Sequence, residues 1–369
     1  MDSEARKLVP PAYGDGAISD IIPSILHPQA PTKLPIALDP DAPKVLLVLD
    51  GLGYLQLKER ATMTPVLSGM SGGSITSVAP STTATALTSI TTGLTPGEHG
   101  LVGYRFAMGD HILNALRWSD VDGTDLRKEV PPETVQPFEP FMGHSIAYVS
   151  NAEFEYSGFT TASWRGSRML GYRTLGTLIS HVKTLIEQGE KLVYAYYSGV
   201  DKVSHEYGLG NVFDSEVAQT DRLVGDLIES LPSGTQLIVT ADHGQVDCGN
   251  SNIQIDDSVT NLCQKMSGEG RFRWLHAKDG RADDVYEAAK DLYQDSTWIK
   301  TREEIIEAGW FGPTVTAEAR GRLGDVALIP FEPIAFDDPF DTGIFDLIGR
   351  HGSLTAAEML VPCLATHVD

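Results

Sequence analysis

The chain has 369 residues, 41% of them hydrophobic, and a formal net charge of −22, which is enough apolar material for one large core with an insertion or for two ordinary domains. This acidity excludes a general electrostatic grip on long nucleic acid, because phosphates demand clustered Lys and Arg. If a substrate carries phosphate, its charge has to be met locally, and bound cations do that most economically in an acidic protein.

The first residues, Met1 to Pro11, contain no apolar run of signal-peptide length. No later stretch approaches the roughly 20 apolar residues that span a bilayer, so a cytoplasmic protein without membrane contact is expected. Cys248, Cys263 and Cys363 are widely spaced and form no CxxC pair. They imply neither a disulfide framework nor a thiolate zinc site, and read as plain buried or half-buried thiols.

In chain order, residues 1–40 are rich in Pro and Gly and read as an irregular surface arm, followed by a core over 41–369. "KVLLVLD" (44–50), "SIAYVSN" (145–151), "KLVYAYYS" (191–198) and "QLIVTAD" (236–242) are apolar, β-branched runs suited to strands buried on both faces. Helical patterns such as "RTLGTLISHVKTLIEQG" and "EVAQTDRLVGDLIESLP" lie between the last three. Strands alternating with helices imply an α/β fold with a doubly wound, mostly parallel sheet.

"PSTTATALTSITTG" (80–93) holds eight hydroxyls in fourteen positions, with Ala84, Ala86, Leu87 and Ile90 at a spacing that fits a helix packed on the sheet. Residues 101–143 are broken by Gly, Pro and charges and carry Tyr104, Phe106 and Trp118, which predicts a lid near the strand ends. Residues 268–333 predict a βαβ-type extension returning to the core.

Chemistry gathers at the ends of the strands. Asp50 in "VLDGLG" ends an apolar strand where open α/β folds place their sites, although an Asx-turn or helix cap would use it equally well. In "GVDKVSHEYG", Asp201 and His205 share a helix face at i,i+4, which suits one shared ion or a solvated pair. In "VTADHGQ", Asp242 and His243 end so apolar a strand that an uncompensated carboxylate would be costly there, which favours metal coordination over capping. His351 in "GRHGSL" adds a third imidazole, though a His before Gly is most often a loop residue. Three aspartates and three histidines suffice for two metal sites with open positions, and such a pair stabilises both the entering and the leaving oxygen of a transferred phosphoryl group. Mixed Asp/His ligands suit zinc, manganese or ferrous iron.

The order of Asp50, "TTGLTPGEHG", "DKVSHEYG", "ADHG" and a late "HG" resembles the alkaline phosphatase superfamily, in its nucleotide pyrophosphatase/phosphodiesterase branch. The resemblance implies two divalent ions, Mn2+ or Zn2+. Asp201, His205 and His351 would hold one, and Asp50, Asp242, His243 and the nucleophile Thr83 the other, with Thr82 as near competitor. Attack would pass through a phosphothreonine. Ala86 stands where relatives usually carry a phosphate-holding Asn, and no Cys/Ser-x-Pro-x-Arg signature supports sulfate-ester hydrolysis.

The resemblance further implies a small nucleotide substrate, with cyclic di-AMP (to pApA or AMP) foremost. Phosphonoacetate hydrolysis, or metal-dependent nucleotide binding with little catalysis, are the alternatives. Tyr104, Phe106 and Trp118 either stack a nucleobase or form the core of the lid. The sequence selects neither monomer nor homodimer.

Overall fold

The computed structural model describes residues 7–27, 29, 33–339 and 346–369. Its longer strands are β1 (Lys44–Leu49), β2 (Ser71–Thr76), β3 (Arg105–Met108), β4 (His111–Asn114), β5 (Ala147–Asn151), β6 (Arg168–Tyr172), β7 (Leu192–Tyr197), β8 (Gln236–Thr240), β9 (Cys263–Glu269), β10 (Phe272–Ala277), β11 (Thr297–Thr301), β12 (Val326–Pro330) and β13 (Leu360–His367). The longer helices are α1 (Thr83–Thr92), α2 (Leu175–Glu187), α3 (Gly199–Tyr207), α4 (Asn211–Ser230) and α5 (Ala282–Tyr293).

Seven strands form the central sheet in the order β2-β13-β8-β1-β7-β5-β6. β1 pairs in parallel with both β7 and β8, and β5 with both β6 and β7. The C-terminal β13 runs antiparallel between β8 and β2, so the sheet is mostly rather than wholly parallel. All six residues of β1 are buried, as a strand covered by helices on both faces requires. Its register opposes Leu49 to Tyr197 and Val48 to Thr240. The chain therefore leaves β1, β7 and β8 at one edge, just before Asp50, Asp201 and Asp242.

The N-terminal arm departs from the expected irregular surface segment. Ile18–Asp20 is a 3-10 turn, Ile21–Leu26 is an α-helix, and Ile18, Ile21 and Ile22 are fully buried. Burial of this short isoleucine cluster outweighs the Pro and Gly around it; residues 1–6, 28 and 30–32 of the arm lie outside the described residues.

The extension begins earlier than expected, at Cys263, and is a four-stranded antiparallel sheet in the order β9-β10-β12-β11. β10 and β11 run the same way and are joined by α5, with β12 inserted between them. The βαβ connection is thus present but split, and it has its own small core around Leu275, Val285, Val326 and Leu328. The segment 101–143, expected as a lid, holds the β3–β4 hairpin. The three cysteines are free and buried, and no helix among the described residues is long and apolar enough to cross a membrane.

Candidate active site

Gly51 turns the chain after β1. Its φ of +74° suits glycine, and a Cβ there would lie 2.6 Å from Gln245 Nε2 and 3.0 Å from Asp201 Cβ. The tight turn brings Asp50 against the residues that follow β7 and β8. Thr82 has extended backbone at the N-cap of α1, so Thr83 occupies the first helical position and opens onto the site.

Of the seven residues singled out as metal ligands, five meet in two overlapping groups. Ligand atoms of Asp201, His205 and His351 lie within 4.8 Å of one another, as do those of Asp50, Asp201 and His243. Asp242 adjoins the second group, with its Oδ2 3.5 Å from His243 Nε2. The seventh, Thr83, places Oγ1 3.1 Å from the same nitrogen, and Asp50 Oδ1 stands 3.4 Å from it. Asp201 is thereby common to both groups, whereas the resemblance assigned it to one.

All three imidazoles are oriented in the same way. Nδ1 of His205, His243 and His351 donates to the carbonyls of Gly349 (2.7 Å), Gly244 (3.0 Å) and Ser81 (3.0 Å). Those bonds fix the proton on Nδ1 and leave the Nε2 lone pairs turned inward, as metal-ligating histidines require. His243 and His351 are stacked with ring centroids 3.6 Å apart.

The carboxylates show the complementary feature. Asp50 Oδ1 and Asp242 Oδ2 are buried without a hydrogen-bond partner among the described residues, an arrangement that is costly unless a cation satisfies them. Burial first, then the charges of Asp242 and Asp201, raise the Asp50 pKa well above the carboxylate range. Burial likewise raises Asp242. Burial opposes the charge on Asp201, yet the facing His205, His351 and His243 hold its pKa low. For His351, burial and the neighbouring His243 depress the imidazole. This donor set, oxygen and imidazole nitrogen with orphaned oxygens aimed inward, fits one or two divalent cations.

Sequence patterns did not reveal the groups that brace these ligands. The Tyr196 phenol donates to Asp50 Oδ2, and Gln245 Nε2 donates to Asp201 Oδ1 at 2.6 Å. Gln56 ties the Gln245 and Ala357 carbonyls at 2.6 and 3.1 Å. Tyr196 was legible only as an apolar strand residue, because strand alternation does not announce which ring reaches a neighbouring strand's end.

A cavity of about 560 Å3 opens above Thr83, Asp201, His205 and His351, and Tyr104 lines it. Phe106 and Trp118 are fully buried instead. The Arg322 guanidinium lies 5.7 Å from the Phe106 ring, and Trp118 Nε1 donates to the Val130 carbonyl at 2.7 Å. Both are lid core and offer no face to a base, so the expectation of substrate stacking does not hold for them. Ala86 is also buried and lacks any group to hold phosphate.

The mostly parallel sheet, with its carboxylates and imidazoles converging at one edge, is the core of a hydrolytic enzyme. The chain belongs to the type I phosphodiesterase / nucleotide pyrophosphatase family, whose model matches residues 44–353. Membership supports metal-dependent phosphodiesterase or pyrophosphatase activity. Among solved structures, murine ectonucleotide pyrophosphatase / phosphodiesterase 5 is similar, with 17% identity, 87% of each chain covered and a TM-score of 0.66. Phosphonoacetate hydrolase from Sinorhizobium meliloti 1021, in complex with phosphonoacetate, has 18% identity, covers 88% of this chain and 89% of its own, and gives a TM-score of 0.65. At such identities these likenesses establish the fold. Comparison with curated proteins finds no match.

Proposed function

We propose that the protein is a two-metal phosphodiesterase of small nucleotides, with cyclic di-AMP its foremost substrate and Thr83 its nucleophile. One observation carries this reading: Thr83 begins a buried helix with Oγ1 3.1 Å from His243 Nε2, at the mouth of a cavity lined by Asp201, His205 and His351. Asp201, His205 and His351 would hold one divalent ion and Asp50, Asp242 and His243 the other; bound there, the ions would acidify the Thr83 hydroxyl and balance charge on the phosphoryl oxygens.

Thr83 Oγ attacks phosphorus, and the bond to the leaving sugar oxygen breaks. First-turn amides of α1, which lack intrahelical acceptors, donate to the phosphoryl oxygens. Water then attacks the phosphothreonine, restoring the hydroxyl and releasing a phosphomonoester. A cyclic dinucleotide opened in this way gives the linear pApA.

Phosphonoacetate hydrolysis is the second reading, supported by the similar fold of that hydrolase. The cavity volume favours a nucleotide, since about 560 Å3 is in the range of drug-sized ligands and far exceeds a three-heavy-group phosphonate. Turnover of bis-p-nitrophenyl phosphate, p-nitrophenyl phosphate, cyclic di-AMP and phosphonoacetate with Mn2+ or Zn2+ separates the readings. The diesters are expected to be cleaved fastest. A much faster monoester, or acetate release exceeding nucleotide turnover, overturns the proposal.

A further inference from the structure

We infer that the lid carries a second anion subsite, centred on Arg117, that takes a phosphoryl group of the substrate other than the one attacked. The inference rests on the small-nucleotide reading above.

Three arginines line the cavity, Arg105, Arg117 and Arg350. Two of them are committed. Arg105 pairs with buried Asp338 at 3.3 Å. Arg350 donates to the Leu347 carbonyl at 3.1 Å and to Asn252 Oδ1 at 3.1 Å. The guanidinium of Arg117 has no hydrogen-bond or ion-pair partner among the described residues; only its backbone amide is engaged, donating to Asn114 Oδ1 at 3.0 Å. Arg117 is exposed, and in a chain of net charge −22 it places a cation with no partner among the described residues on the wall of the cavity that also presents Asp120 and Glu269. Guanidinium is the side chain best matched to phosphate, so a phosphoryl group reaching it would gain a charge-assisted contact.

The turn that presents Arg117 is built rather than loose. Asn114 is buried, and its Nδ2 donates to the Tyr104 hydroxyl oxygen at 2.7 Å while its Oδ1 holds the Arg117 amide. Because the Tyr104 oxygen is accepting, its own proton is left without an acceptor among the described residues, and Tyr104 lines the same cavity. The next residue, Trp118, has φ +54°, a conformation unfavourable for a bulky side chain. It is held there by its Nε1 bond to Val130 and by packing so close to Gly158 that a Cβ on that glycine would lie 2.3 Å from Trp118 Cγ. The turn thus places two donors in the cavity lining, the Tyr104 hydroxyl and the Arg117 guanidinium, the latter through a backbone that is held. A nucleotide with two phosphoryl groups, such as a cyclic or linear dinucleotide, fits this pairing better than a dinucleoside monophosphate.

The test measures binding, so that it does not depend on turnover. Thr83→Ala protein with Mn2+ is titrated with pApA and with ApA, which differ by the terminal phosphate. The phosphorylated ligand is expected to bind about tenfold tighter or more, as one charge-assisted contact supplies. Arg117→Gln in the same background is expected to bring the ratio close to one, while Lys128→Gln, a lid cation outside the cavity lining, keeps it. Equal binding of pApA and ApA, or an unchanged ratio in Arg117→Gln, overturns the subsite. Diester turnover by the unmodified enzyme is read separately: its absence with an Arg117-dependent ratio sinks the activity reading and leaves the subsite standing.

Discussion

Arg271 and Glu358, both fully buried, meet in a two-point ion pair: Nε to Oε1 at 2.7 Å and Nη2 to Oε2 at 2.8 Å. Arg271 sits in the turn between β9 and β10, and its remaining hydrogens go to the Pro330, Glu332 and Ile334 carbonyls. Glu358 also accepts from the Ser353 amide at 3.0 Å and the Thr355 hydroxyl at 2.6 Å. The pair therefore fastens the extension to the loop that begins at His351.

Because the pair is dry and fully bonded, removing one partner leaves an uncompensated buried charge, which costs about 3–5 kcal/mol. Arg271→Met is expected to lower the unfolding free energy, measured by urea denaturation, by that amount and to weaken metal retention through His351. The double variant Arg271→Met/Glu358→Leu should regain most of the stability. A double variant less stable than the single one contradicts this account.

Thr83→Ala is expected to retain metal and lose turnover by about a thousandfold or more, as removal of a nucleophile does. Thr82→Ala should be far milder, since Thr82 contributes its carbonyl to Ala86 N at 2.9 Å, a bond the substitution keeps. Metal content by mass spectrometry and steady-state rates on bis-p-nitrophenyl phosphate decide the ranking; the opposite order moves the nucleophile by one residue.

Chelation should abolish activity and lower the melting temperature, because ligand binding to the folded state adds about 2.7 kcal/mol at a hundredfold excess over Kd. In the chelated protein, Asp50→Asn is expected to raise stability, since it removes a buried charge crowded by Asp242 and Asp201. With Mn2+ present the same variant should be the less stable one. Thermal melts of both proteins with and without chelator check the crossing.

Two buried histidines should each make mild acidification destabilising. Burial, then the Arg322 cation, pushes His99 down to about 3, where Nδ1 accepts from the Leu101 amide at 3.1 Å and Nε2 donates to Ser89 Oγ at 2.8 Å. Burial, then Lys265, takes His276 to about 4. Unfolded, both titrate near 6.5, so below that pH the unfolded chain binds protons that the folded one refuses. Each such group costs about 1.4 kcal/mol per pH unit between roughly 6.5 and its folded value. With urea unfolding at pH 7, 6 and 5, the stability of the unmodified protein relative to His276→Gln should decline as pH falls, by one proton's worth of slope. A slope indifferent to His276→Gln refutes the linkage.

The convergence of the aspartates and histidines was legible in the sequence because they end or follow strands whose sheet topology is simple. Apolar runs ending in Asp50 and Asp242 become neighbouring parallel strands, and the i,i+4 spacing of Asp201 and His205 survives on α3 as a contact of 3.2 Å. Hydroxyls in an apolar helical pattern likewise become α1, all ten residues of it buried.

Other features depended on contacts between segments far apart in the chain. Asp201 joins both ligand groups only because Gly51 lets β1 turn within contact distance of α3. Phe106 and Trp118 look like stacking platforms in the sequence, yet the lid buries them, since an aromatic ring gains more from a closed core than from an open cavity wall. The carbonyls that set each imidazole, the Tyr196 phenol at Asp50 and the Arg271–Glu358 pair carry no sequence signature: their partners lie up to 270 residues apart. Sequence alone determined which residue types reach the sheet edge, through strand periodicity. Tertiary structure decided which of their atoms face one another, because that depends on register, turn geometry and the packing of distant side chains.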